Sequence, residues 1–186
     1  MLAKASITNQ FERELNFKLL KFNLGYKKPI NTKTIFDIQL AAVNFFDLKT
    51  NITFNTVEHD GFLPEVKLGV IRTINKKYAA GIYLDQMNYF VLNDVSIATL
   101  EIEPQLAYRV SILGVYNIYD FSIYSTIGFL TGPGTGYDFT VGSRYNIGKK
   151  DKLSMNVNLA YYKSFLKVSN FEESSNVLVF SYGFSI

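Results

Sequence analysis

The sequence predicts an all-β chain closed into an antiparallel, up-and-down transmembrane β-barrel of about ten strands, with eight as the alternative count. Three observations carry this. Apolar and polar residues alternate with a period of two along most of the chain. Polar and glycine-containing turn clusters interrupt that alternation at short intervals. The composition is 48% hydrophobic and 16% aromatic with only 19% charged residues, which excludes a disordered chain. The 186 residues fit a single domain, taken as residues 1–186 with 1–13 as a flexible N-terminal lead.

The strands are expected near 14–26, 34–46, 50–58, 65–74, 78–88, 97–112, 116–130, 137–147, 152–165 and 175–186. In the first, the apolar set changes parity from Leu15, Phe17 and Leu19 to Leu20, Phe22, Leu24 and Tyr26, which predicts a β-bulge. In the second, Phe36, Ile38, Leu40 and Ala42 oppose Asp37, Gln39 and Ala41. In the sixth, Leu100, Ile102, Leu106, Tyr108 and Val110 oppose Glu101, Glu103, Gln105, Arg109 and Ser111. The clearest hairpin sets Tyr137, Phe139, Val141, Tyr145 and Ile147 against Asp138, Thr140, Gly142, Arg144 and Asn146. It turns at Gly148 to Asp151 and resumes with Leu153, Met155, Val157, Leu159 and Tyr161. Short turns are expected at Asp47–Lys49, Asn75–Lys77, Leu113–Gly114 and Gly148–Asp151. Longer loops are expected at Lys27–Lys33, Glu58–Pro64, Asn88–Val95, Thr131–Gly136 and Lys167–Ser174. Short turns at one end and longer loops at the other are the habit of membrane barrels.

Volume decides which face is wet. Ten strands with about five large apolar residues each would place on the order of fifty bulky side chains inside a barrel whose interior fills with far fewer. The apolar face therefore points outward. Ser, Thr, Asn, Gln, Gly and Ala with a few charges line the lumen. Inward charges of both signs are expected at Lys18, Lys21, Asp37, Lys67, Asp85, Glu101, Glu103, Arg109, Asp120, Asp138 and Arg144, paired because burial demands partners. Tyr26, Tyr78, Tyr89, Tyr108, Tyr137, Tyr161 and Tyr182 are expected in aromatic girdles at the headgroups. A soluble lipid-binding barrel, with its apolar face inward, is the competing reading.

The run Gly142-Ser143-Arg144-Tyr145-Asn146-Ile147, the basic turn, and Lys152 through Tyr162 resemble small, porin-like outer-membrane barrels of Gram-negative bacteria, most of all those of Bacteroidetes. That resemblance implies an outer-membrane location in the cell envelope. It also implies contact with outer-membrane lipid and lipopolysaccharide, and folding by the barrel assembly machinery. The alternating Phe180, Tyr182, Phe184 and Ile186 resemble the C-terminal assembly signal of such proteins, although the last residue is Ile. No secretion signal opens this numbering, so an exported protein has lost it.

Chemistry is sparse. There is no cysteine, hence no disulfide and no thiolate metal site. The single histidine, His59, sits between Glu58 and Asp60 in an expected loop without a serine motif, and reads as a solvated residue. Gly132-Pro133-Gly134-Thr135-Gly136 lacks the lysine and helix of a phosphate cradle and reads as a turn. Glu101, Glu103 and Asp85 read as paired lumen charges rather than a cation site. A net charge of +3, spread singly and in pairs, gives no reason to expect nucleic acid. No catalytic set, metal site or cofactor is expected. The leading functional reading is a non-catalytic structural, interaction or accessory subunit of an envelope complex, with other envelope proteins as partners. The alternatives are a narrow channel for ions or small molecules, or an envelope lipid-modifying enzyme.

Overall fold

Every described strand of this chain finds two neighbours. The computed structural model describes residues 2–9, 14–50, 61–90, 104–148, 154–168 and 171–185. They form β1 (Leu2–Asn9), β2 (Glu14–Pro29), β3 (Thr34–Thr50), β4 (Leu63–Thr73), β5 (Tyr78–Phe90), β6 (Pro104–Ile118), β7 (Phe121–Thr131), β8 (Thr135–Ile147), β9 (Ser154–Val168) and β10 (Phe171–Ser185). Each strand pairs antiparallel with the next, and β1 pairs with β10 as well as β2, so the sheet closes. Closure leaves no free edge, which is the condition for a sheet in hydrocarbon, where no water satisfies an unpaired backbone group.

Among the described residues there are ten strands, the number expected, but two of the expected elements change. Residues 1–13 are not a free lead, because Leu2–Asn9 is the strand that joins β10 to β2. The alternation of that segment is short and weak: Lys4, Ser6 and Thr8 oppose only Ala3, Ala5 and Ile7. Its place comes from completing the hydrogen-bond ladder. The turn expected at Asp47–Lys49 is instead part of β3, with Lys49 paired to Asn16. The strand expected at 50–58 falls almost wholly outside the described residues. At 16 and 17 residues, β2 and β3 exceed the roughly 9–11 needed to span hydrocarbon. Their ends project beyond it, so polar residues there need not mark a turn.

Four further boundaries move as well. The turn expected at Leu113–Gly114 lies at Tyr119 and Asp120, where Tyr119 takes a φ of 54°. The loops expected at 27–33 and 131–136 shrink to 30–33 and 132–134 as the flanking strands extend, and β9 and β10 take up 167–168 and 171–174 of the loop expected at 167–174. The first of these now lies at the short-turn end, where Asn31 Oδ1 accepts from the Lys33 N–H at 2.9 Å. Asn75 does the same in the β4–β5 turn, accepting from Lys77 N–H at 2.8 Å and Tyr78 N–H at 3.0 Å. Asx turns of this kind satisfy backbone donors locally and fix the hairpin register. The two longest connections, 51–62 and 91–103, share the opposite end, called here the loop end. A bulge does interrupt the first expected strand, but the β2–β3 register shifts between Asn16 and Lys18, not at the Leu19–Leu20 parity change.

The barrel is inside-out relative to a water-soluble protein. Ile112 and Ile127 are 65% and 70% exposed, while Asp37 and Asp138 are 2% and 0% exposed. Around the outer face, Phe22, Leu24, Leu40, Ile82, Leu84, Val110, Phe129, Val141, Leu159 and Leu178 are all exposed. Soluble monomers rarely show contiguous apolar patches above a few hundred Å². A belt running round every side of the barrel requires an apolar solvent. Tyr26, Tyr78, Tyr108, Tyr137, Tyr161 and Tyr182 face outward as expected. Tyr89 does not: it is 5% exposed and points into the lumen, sharing the parity of inward Tyr83.

Candidate functional site in the lumen

The inner face is built from alternating positions on β2 to β10, and its polar groups converge because they have no other way to be satisfied. Arg109 on β6 is the hub. Its Nε and Nη2 donate to the two carboxylate oxygens of Asp138 on β8 at 2.6 and 2.5 Å, a bidentate pair. Nη1 donates to Asp85 Oδ2 on β5 at 2.9 Å, and Nη2 also donates to Thr126 Oγ1 on β7 at 2.8 Å. Lys67 on β4 reaches Asp85 at 3.7 Å and lies 4.3 Å from the centre of the Tyr83 ring. Lys21 on β2 pairs with Glu65 on β4.

Three of the large inward side chains lie along the wall, each crossing a glycine on the strand between itself and its partner. Arg109 reaches from β6 to β8 over Gly128 of β7, where a Cβ would stand 2.6 Å from Nε and 3.0 Å from Asp138 Oδ2. Tyr83 reaches from β5 over Gly69 of β4 to Asp37 of β3, donating its hydroxyl at 2.8 Å; a Cβ on Gly69 would lie 2.2 Å from the ring. Tyr124 reaches from β7 over Gly142 of β8 to Asn158 of β9 at 2.8 Å, and Asn158 passes the chain on to Ser181 of β10 at 3.0 Å. A Cβ on Gly142 would lie 2.4 Å from Tyr124 Cζ. Glycine is needed here for the space its missing side chain leaves, since a strand interior gives it no other advantage.

The loop end of the lumen is built differently. Tyr89 on β5 crosses to β9, its hydroxyl 3.1 Å from Ser164 Oγ, which is 2.5 Å from Ser175 Oγ on β10. Tyr89 packs there with Ala107, Leu130 and Leu166, and Met87 lies against them. Below this layer is a cavity of about 190 Å³, lined among others by Lys21, Glu65, Lys67, Asp85, Arg109 and Tyr162.

The structure gathers Asp37, Lys67, Asp85, Arg109 and Asp138 of the expected inward charges, with Lys21, into this network. Arg144 has the inward parity of Asp138, and its guanidinium lies 6.0 Å from the Tyr124 ring centre. Two expectations are corrected. Asp120 sits in the exposed β6–β7 turn, because that turn falls later than expected, and its carbonyl accepts from the Asn146 N–H at 2.8 Å. Lys18 shares the parity of outward Leu20 and Phe22, because the bulge restarts the alternation just before it. Glu101, Glu103, His59 and Ile186 lie outside the described residues. Among the described residues no cluster of His, Asp and Glu is arranged to hold a metal ion. Phe180, Tyr182 and Phe184 face outward on β10. Sequence reasoning missed Gly69, Gly128, Gly142, Glu65 and Tyr162. The glycines were discernible only as small residues on the polar face of a strand.

A closed antiparallel barrel, apolar outside and hydrophilic inside, is a transmembrane β-barrel of the bacterial outer-membrane type. No family model and no curated protein matches the chain. Among solved structures it is similar in build to the NanC porin, at 8% identity over 97% of this chain and 100% of that one, with a TM-score of 0.45. It is similar to the KdgM porin at 8% identity over 97% and 98%, TM-score 0.43. A TodX monoaromatic hydrocarbon channel mutant matches at 10% identity over 96% of this chain and 58% of that one, TM-score 0.42. Likeness at this level transfers no solute or mechanism to this chain.

Proposed function

We propose that the protein is a narrow outer-membrane channel for small polar solutes, with the lumen as its pathway. The observation that carries this reading is the arrangement of Tyr83, Arg109 and Tyr124, laid along the wall over glycines instead of projecting into the bore. A barrel that needed only a packed interior would gain more by filling the centre with these side chains. The cavity of about 190 Å³ beside Arg109, lined mostly by polar residues, adds to it. Tyr89, crossing to Ser164 at the loop end, is the closure of this pathway. In this reading the barrel carries no catalysis. Outer-membrane lipid and lipopolysaccharide surround its outer face, and the barrel assembly machinery inserts it through β10.

A second reading, a closed barrel serving as an interaction or accessory subunit of an envelope complex, is favoured by the same Tyr89 bridge and the buried Leu130 and Leu166 around it. Planar-bilayer recording separates the two. The parent protein is expected to give small, infrequent conductance steps, and Tyr89→Ala several-fold larger or longer ones. A silent bilayer for both, with both proteins folded, contradicts the channel and leaves the accessory role.

A further inference from the structure

The short-turn end carries exposed charge that the lumen does not use. Two of its hairpins turn on one pattern: Ile30-Asn31-Thr32-Lys33 joins β2 to β3, and Ile74-Asn75-Lys76-Lys77 joins β4 to β5. Their bonding is the same. The N–H groups of Ile30 and Ile74 donate to the carbonyls of Thr34 and Tyr78, both at 2.9 Å, and the Asn31 and Asn75 side chains accept from the N–H groups of Lys33 and Lys77. Neighbouring hairpins are then tied together. Thr73 N–H donates to the Lys33 carbonyl and Asn117 N–H to the Lys77 carbonyl, both at 2.7 Å. None of this bonding uses a lysine side chain.

On that stretch of rim Lys28, Lys33, Arg72, Lys76 and Lys77 are all exposed, and none forms an ion pair with another described residue. Among the described residues the only exposed carboxylate at this end is Asp120, in the next turn. The loop end differs: there the exposed Lys167 stands opposite Glu172 in the β9–β10 ladder. Like charges gathered without a counter-charge repel one another, and an anion brought among them is favoured. Depth says which anion. Exposed apolar residues continue to the strand ends here: Ile74 directly follows β4, Tyr78 opens β5, Ile118 ends β6, and Phe184 is next to last in β10. The hydrocarbon boundary therefore falls at the turns, which puts the lysines at the depth of the headgroups. Beside them, Ile30 and Ile74 are 59% and 60% exposed, and the Tyr78 and Tyr116 rings lie 5.0 Å apart. These groups suit the glycerol and upper acyl region of a lipid, and a dissolved anion would make no use of them.

We propose that the β2–β5 side of the short-turn rim is a binding surface for anionic phospholipid. Lys33, Lys76 and Lys77 meet the phosphate, Lys28 and Arg72 flank it, and Ile30 and Ile74 lie against the glycerol and the upper acyl chain. Short turns face the periplasm in barrels of this type, so the lipid belongs to that leaflet. The surface ends at the β6–β7 turn, where Asp120 repels a headgroup. It does not depend on whether the lumen conducts.

Native mass spectrometry of the full chain, released from micelles holding equal phosphatidylglycerol and phosphatidylcholine, tests this. The parent is expected to retain phosphatidylglycerol over phosphatidylcholine by about fivefold or more, the factor one lysine contributes beside an anionic surface. The triple variant Lys33→Gln, Lys76→Gln and Lys77→Gln is expected to bring the ratio near one. The corresponding triple change to Arg, which keeps the charge, is expected to preserve it, as is Lys167→Gln at the loop end. Added inorganic phosphate is expected to leave the parent's ratio unchanged. Heat-modifiable gel migration checks that each variant folds. Equal retention of the two lipids by the parent overturns the proposal, as does a preference that survives the change to Gln or is lost equally in Lys167→Gln. Displacement of the lipid by phosphate would show a site for dissolved anions and overturn it too.

Discussion

Arg109→Leu is expected to destabilise the folded barrel by about 3–5 kcal/mol, the usual cost of removing one partner from a buried ion pair. The size follows from Asp138, which is 0% exposed and depends on Arg109 for both carboxylate oxygens. Asp85 suffers less, because Lys67 stands within 3.7 Å of it. The double variant Arg109→Leu with Asp138→Leu is therefore expected to recover most of the loss, since apolar replacement of a whole buried pair is often neutral. Gly128→Val is expected to resemble the single variant, because its side chain would occupy the line between Arg109 and Asp138. Reversible urea unfolding in lipid vesicles measures all three. A single variant as stable as the parent would mean that the pair does not organise the lumen.

The second large effect lies on the other face. Ile112→Arg places a charge where the described neighbours across the sheet are Ile82 and Ile127. Near the bilayer midplane this substitution is expected to cost about 2–4 kcal/mol, against about 0–1 kcal/mol near an interface. Ile118, the last residue of β6, provides the interface comparison through Ile118→Arg. The difference between the two variants is the informative quantity, because it subtracts any intrinsic effect of arginine in a strand. Equal, small effects at both positions would show that the outer face of β6 does not lie in hydrocarbon.

How much of this was legible in the sequence depends on which force placed each element. Where lipid selects one face, as in β6 to β10, alternation exposed the strand, its sidedness and its inward polar set. Where a strand runs past the hydrocarbon, as in β3 beyond Phe45, the selection lapses and Asp47 to Lys49 reads falsely as a turn. β1 carries only a short, weakly apolar parity, Ala3, Ala5 and Ile7 against Lys4, Ser6 and Thr8, and the closure of the ladder reveals it. Tyr89 shows the limit for single residues. A tyrosine near a strand end suits a headgroup girdle and a lumen bridge equally, and one step of register decides between them. Of the site, the charges were legible as a set because burial forces pairing, but the pairing itself was not. Arg109 meets Asp138 from two strands away across Gly128, a relation of curvature and shear that one-dimensional spacing does not contain. Gly69 and Gly142 were hidden for the same reason: their role is an absence of atoms beneath Tyr83 and Tyr124.

The direct test of the central claim uses the natural lack of cysteine. Single cysteines at Val110, Ile112 and Ser111 of β6, and at Ile127 and Thr126 of β7, would be spin-labelled in lipid vesicles. Each would then be scored for collision with oxygen, which concentrates in hydrocarbon, and with a water-soluble nickel complex. The expected result is an alternation of period two, with high oxygen access at Val110, Ile112 and Ile127 and low access at Ser111 and Thr126. An alternation of the opposite phase, or none, would contradict a barrel that turns its apolar face to lipid.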